Sequence, residues 1–174
     1  GLNVLSPNSE RFFRYSFASS ELPSNRIYSA FQSREGTYWI GSFFGLASGS
    51  RTLFPLFDTA RRKLSSDSIN AFTETVDGSL WVGTDDGNVW LSKDGGGRWQ
   101  DLTDRFPEAV QGLWVSRVEA SAHDGAAAFV SFTGYREDVR DAFIFRTDDG
   151  GDTWLSIAND LPKEPVNVIR EHPR

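Results

Sequence analysis

Short apolar runs separated by polar, glycine-marked turns recur along this chain. Residues 27–31 and 69–73 are β-prone and are followed by Arg34-Glu35-Gly36 and Val76-Asp77-Gly78. Glycine at the end of each triplet suits a tight hairpin that needs a positive φ. Aromatic and β-branched runs then follow, Tyr38-Trp39-Ile40 and Leu80-Trp81-Val82, which read as second strands buried on both sides. Helix signals are poor; only 58–64 and 103–110 are candidates, and both read as loops holding a single turn.

These runs belong to an internal repeat. Residues 22–42, LPSNRIYSAFQSREGTYWIGS, align without gaps on 64–84, LSSDSINAFTETVDGSLWVGT, at a shift of 42. Leu22 falls on Leu64, Ile27 on Ile69, Gly36 on Gly78, Trp39 on Trp81 and Gly41 on Gly83. A period of about 42 is that of a four-stranded propeller blade. The expected strands are 27–32, 37–42, 46–49 and 53–57, then 69–74, 79–84, 88–92 and 98–102, then 115–121, 127–132, 142–147 and 153–157. At the ends, 3–6 and 12–16 read as third and fourth strands and 166–171 as a first strand, with no second strand between them. The expected class is all-β: a β-propeller of four-stranded antiparallel blades, about four blade units, the terminal one split and incomplete. Residues 1–174 then form one propeller or half-propeller.

Residues 1–87 resemble the two-component-regulator propeller repeat, through RIYSAFQSREGTYWIGSFFGL and SINAFTETVDGSLWVGTDDG. Residues 88–174 resemble Asp-box (BNR) propeller repeats of the sortilin-like and glycosidase-related kind. The box is complete as Thr147, Asp149, Gly151, Thr153 and Trp154, and occurs again as Ser92, Asp94, Gly96 and Trp99, where Arg98 replaces the usual Thr. The resemblance implies a structural role for these residues. The aspartates lock a turn by accepting backbone N–H groups, the glycines supply backbone freedom, and the tryptophans pack beneath. The shared phrase VGTDDG, 82–87, lets the two repeat types meet inside one blade, as expected of a hybrid, natural or engineered. The parent families imply an extracytoplasmic or secreted setting, which the residues themselves leave unknown.

Charge and composition narrow the partners. With 18 basic and 24 acidic residues the net charge is −6, which repels nucleic acid and anionic membranes. The run Arg61-Arg62-Lys63 reads as a solvated patch. There is no Cys, so no disulfide or thiolate metal site, and no apolar run approaches the ~20 residues of a membrane helix. The opening GLNVLSPN has no initiator Met, basic segment or apolar segment and reads as the start of an excised or mature piece.

Candidate chemistry is sparse. No pair of carboxylates is singled out for glycoside hydrolysis, no Ser occupies a nucleophile elbow, and KDGGGRW lacks the Lys-Ser/Thr of a phosphate loop. No cofactor and no metal is expected; Asp148, Asp149 and Asp152 read as turn residues, as do His123 and His172. The loop TGYREDVRDAF, 133–143, offers Tyr135, Arg136 and Arg140 as a ligand rim, with a charged solvated loop as the plainer reading. Trp90 and Trp114 read equally as core or as groove lining. The favoured function is a non-enzymatic propeller scaffold. The alternatives are a ligand-sensing extracytoplasmic segment of a hybrid two-component sensor and a fragment of a glycan-active Asp-box glycosidase. The expected partner is a second copy of the chain, closing a ring as a homo-oligomer such as a dimer, with a glycan or small molecule as ligand.

Overall fold

The computed structural model describes residues 1–5, 11–20, 22–49, 56–57 and 68–172. The expected turn at 58–64, the basic run 61–63 and the first residues of the strand 53–57 lie outside the described residues.

Three four-stranded antiparallel sheets follow one another along the chain. The first blade is β3 (Ile27–Gln32), β4 (Tyr38–Ser42), β5 (Gly45–Gly49) and β6 (Leu56–Phe57). The second is β7 (Ile69–Glu74), β8 (Leu80–Thr84), β9 (Val89–Ser92) and β10 (Gln100–Asp101). The third is β11 (Trp114–Ala120), β12 (Ala128–Gly134), β13 (Val139–Thr147) and β14 (Leu155–Ser156). A two-stranded ribbon, β1 (Leu2–Leu5) with β2 (Phe12–Tyr15), precedes them. Each blade is a meander in chain order, as the repeat predicts.

The repeat extends to fine geometry. Register shifts lie near the start of each first strand, at Ile27/Ser29, Ile69/Ala71 and Val115/Arg117. Gly36 and Gly78 hold φ of +84° and +87° in the hairpins that follow. The glycine that ends the Trp-aliphatic-Gly run has a packing reason. A Cβ at Gly41 would strike Ile69, and one at Gly83 would strike Val115. The next blade's first strand lies directly against the bare backbone.

The junction of the two repeat types is continuous. Leu80 pairs with Ser92, Trp81 with Leu91, Val82 with Trp90 and Gly83 with Val89, so both halves share one sheet. The core lies between blades. Trp39, Leu46, Ile69, Phe72, Leu80, Val82 and Trp90 fill the first interface, which places Trp90 in the core. Trp81, Leu91 and Val115 join Leu102, Phe106 and Val110 in the second. The last three sit on the connection between blades, where the expected single turn is two short 3-10 turns, Thr103–Arg105 and Glu108–Val110.

One expectation is corrected. Residues 166–171 are extended beside β11 but form no ladder, because the described residues supply no second strand for them. They stand in a first-strand position all the same. Glu171 accepts the Ala122 backbone N–H at 2.8 Å, as Glu74 accepts that of Arg34 at 3.0 Å in the first interface. The Ser116 hydroxyl donates to the Val166 carbonyl and Arg170 pairs with Glu119, completing the attachment. His123 Nε2 lies 3.2 Å from the His172 carbonyl oxygen, which joins the two turn histidines at this inner edge.

Candidate functional site

A four-stranded meander sorts its turns onto two faces. Turns between first and second and between third and fourth strands share one face; the remaining turns and the entries to first strands share the other. Gly150 N–H donating to the Ala126 carbonyl joins two turns of the first face, and Phe43 N–H donating to the Arg26 carbonyl joins two of the second.

The Asp boxes occupy the first face. Asp149 Oδ1 accepts the Thr147 hydroxyl at 2.8 Å and the Thr153 N–H at 2.9 Å, while Oδ2 accepts the Thr153 hydroxyl at 2.6 Å. The Gly151 N–H donates to Thr147 Oγ1 at 2.9 Å. The Thr153 hydroxyl, then its N–H, then the Thr147 hydroxyl hold the Asp149 carboxyl down at about 2. Asp94 repeats the pattern with the Arg98 N–H at 2.7 Å and the Ser92 hydroxyl at 2.9 Å, and its carboxyl is also lowered, chiefly by the Arg98 N–H. Arg98 supplies no counterpart of the Thr153 hydroxyl.

Each box also ties two blades together. Trp99 meets Trp39 edge-on at 6.5 Å, and Trp154 meets Trp81 edge-on at 6.0 Å. A Cβ at Gly96 would strike Trp39, and one at Gly151 would strike Trp81 and Leu102. The predicted box residues thus form two inter-blade locks with their acids consumed in turn bonds. Among the described residues no group of three or more His, Asp or Glu is placed to hold a metal ion.

The second face carries the predicted rim. Tyr135 and Arg136 lie on a 3-10 turn, Tyr135–Glu137, between β12 and β13, closed by Asp138 in the left-handed region at φ 56°. An open cleft of about 570 Å³ brings them together with Trp114, Thr133 and Arg140, and with Lys163–Asn167 on the segment leading into the unpaired first strand. The Arg136 guanidinium carbon lies 3.5 Å from the centroid of Trp114, which therefore lines the cleft. Arg140 is 3.7 Å from Asp138 and Lys163 is 3.5 Å from Asp141, both on exposed side chains. Thr133 is 5% exposed, and among the described residues its buried hydroxyl has no hydrogen-bond partner; nor has the buried Trp114 indole N–H. Ser29, Asn70 and the indoles of Trp81, Trp90, Trp99 and Trp154 share this state elsewhere in the blades, so it does not single out the cleft. The sequence marks Thr133 as the start of the 133–143 loop and 166–171 as a first strand, but only the blade geometry brings Thr133 and residues 163–167 to Arg136.

Comparison with known proteins agrees with this architecture. The family model described as the two component regulator propeller matches residues 21–44 and 63–86. No curated protein sequence matches the chain. Among solved structures, the extracellular domain of the putative hybrid two component system BT3049 from B. thetaiotaomicron is 18% identical with a TM-score of 0.68, covering 91% of this chain and 20% of its own. That of the putative one component system BT4673 from the same organism is 16% identical with a TM-score of 0.66, covering 85% and 18%. The GH74 xyloglucanase from Xanthomonas campestris is 15% identical with a TM-score of 0.61, covering 79% and 22%. Fold and repeats together define a β-propeller architecture, with residues 21–44 and 63–86 matching the two component regulator propeller model. The chain spans about a fifth of the length of these three structures.

Proposed function

We propose that this chain is a non-enzymatic, ligand-sensing segment of an extracytoplasmic propeller, and that the cleft between Trp114, Arg136 and the 163–167 segment is its ligand site. The observation that carries this reading is the Arg136 guanidinium stacked on the Trp114 ring in an open cleft that also holds Tyr135, Arg140 and Lys163. The extracellular domains of two-component and one-component systems that share the fold support the setting. The position also suits sensing, because the same segment that lines the cleft continues into residues bonded to β11 through Ser116 and to the turn after it through Ser121. A ligand held there bears directly on the next blade position. Hybrid descent rests on the full set of turn bonds at Asp149 and the partial set at Asp94, which lie beyond the last residue of the regulator match.

A thermal-shift screen of oligosaccharides and small organic acids tests the reading. At least one compound raises the melting temperature of the parent chain and fails to do so for Trp114→Ala. Hits that act equally on both proteins would leave the cleft without a role, and the plain scaffold would stand.

A further inference from the structure

We propose that the blade-three cleft recognises a carboxylate carried on a ring, with Arg136 as the fork that takes the carboxylate and Trp114 as its positioning residue; this rests on reading the cleft as the ligand site. At 3.5 Å from the ring centroid only a parallel stack avoids collision, so the guanidinium plane is set by the indole plane. A stacked guanidinium keeps all its N–H donors at its edge, the geometry that meets a carboxylate with two parallel bonds. Among the described residues Arg136 forms no ion pair, whereas Arg140 and Lys163 already face Asp138 and Asp141. The cation best placed to receive an outside carboxylate is therefore the one held rigid by an aromatic ring.

The rest of the cleft suits a ring. Tyr135 is 76% exposed beside Arg136, a second flat surface with no packing duty in the core. The exposed Tyr135 and Asn167 side chains in the lining offer hydrogen bonds to polar substituents of a ligand seated there. Three basic side chains and one acid, Glu164, line the cleft of a molecule whose net charge is −6. Glu137, Asp138 and Asp141 stand outside the lining, and the exposed pairs formed by the last two are weak enough to open for a ligand. A hexuronic acid and an aromatic carboxylic acid share the chemistry that this arrangement reads.

Calorimetric titration of the full chain with glucuronate against glucose, and benzoate against benzyl alcohol, tests the proposal and separates the two sources. At least one acid binds about tenfold or more tighter than its neutral counterpart, and the preference shrinks as salt rises. Arg136→Gln abolishes the preference, and Arg136→Lys keeps only part of it because the fork is lost while the charge remains. Trp114→Leu reduces the same acid-to-neutral ratio and Trp114→Phe restores it, with circular dichroism unchanged in all four variants. Equal binding of acid and neutral ring would overturn the carboxylate proposal and leave the ligand site standing. No binding of any of the four probes would overturn the carboxylate proposal, and the thermal-shift screen then decides the site by itself.

Discussion

Asp149 accepts two hydroxyls and a backbone N–H, so its charge is what holds its turn closed. Removing the acceptor leaves those donors to water and frees the loop that seats Trp154 against Trp81. Asp149→Ala is expected to lower the melting temperature by a few degrees, with no dependence on chelator. Calorimetry with and without EDTA checks both parts. Because folding depresses this carboxyl from its usual 3.8 to about 2, its contribution is complete above pH 3.8 and is lost as pH falls through about 2. The difference between Asp149→Ala and the parent therefore narrows over that window. Asp94 lacks the hydroxyl that Thr153 gives to Asp149, so Arg98→Thr is expected to raise the melting temperature slightly. The turn bonds of Asp94 and Asp149 were legible from residue type and spacing. The unpaired Thr133 hydroxyl was not, since a threonine among aromatic strand residues gives no sign that its partner is missing.

First strands were the most legible elements, and β3 and β7 have the expected bounds. Their pattern is set by packing around the ring axis, which repeats with the chain. Fourth strands contract instead. The expected 98–102 is Gln100–Asp101, because the Asp94 turn uses the residues through Arg98. The loop 133–143 is shorter than its composition implies, since Asp138 turns tightly enough to start β13 at Val139. That turn depends on one aspartate in the left-handed region, a conformation composition alone does not announce. At the element scale the sharpest expectation concerns Gly83, whose Cβ would collide with Val115 and Val118. Gly83→Ala is expected to destabilise the chain by about 1–3 kcal/mol, the usual scale of overpacking. A denaturation midpoint equal to the parent's would show that the blades do not approach as closely as described.

At the scale of the molecule, two incomplete edges remain. Among the described residues, 166–171 have no ladder partner, and the β1–β2 ribbon precedes the first blade with Phe12 and Phe13 exposed. A second copy of this chain is our proposed occupant, its ribbon taking the outer places of the blade that 166–171 begin. First and third strands of a blade run the same way, so β1 cannot pair antiparallel with 166–171 from the third place, and the second place stays open. Association is therefore expected to be weak and concentration-dependent; light scattering that stays at 19.4 kDa across all concentrations would remove it. The ligand site does not depend on this, because its walls come from the third blade and the segment bonded to it. The six tryptophans provide the most direct test. In a nitrogen-15 correlation spectrum titrated with a compound identified by the thermal-shift screen, the Trp114 indole N–H is expected to move, while Trp39, Trp81, Trp90, Trp99 and Trp154 hold their positions in the blade interfaces. Movement of Trp99 and Trp154 with Trp114 unchanged would put the ligand on the Asp-box face and contradict the account.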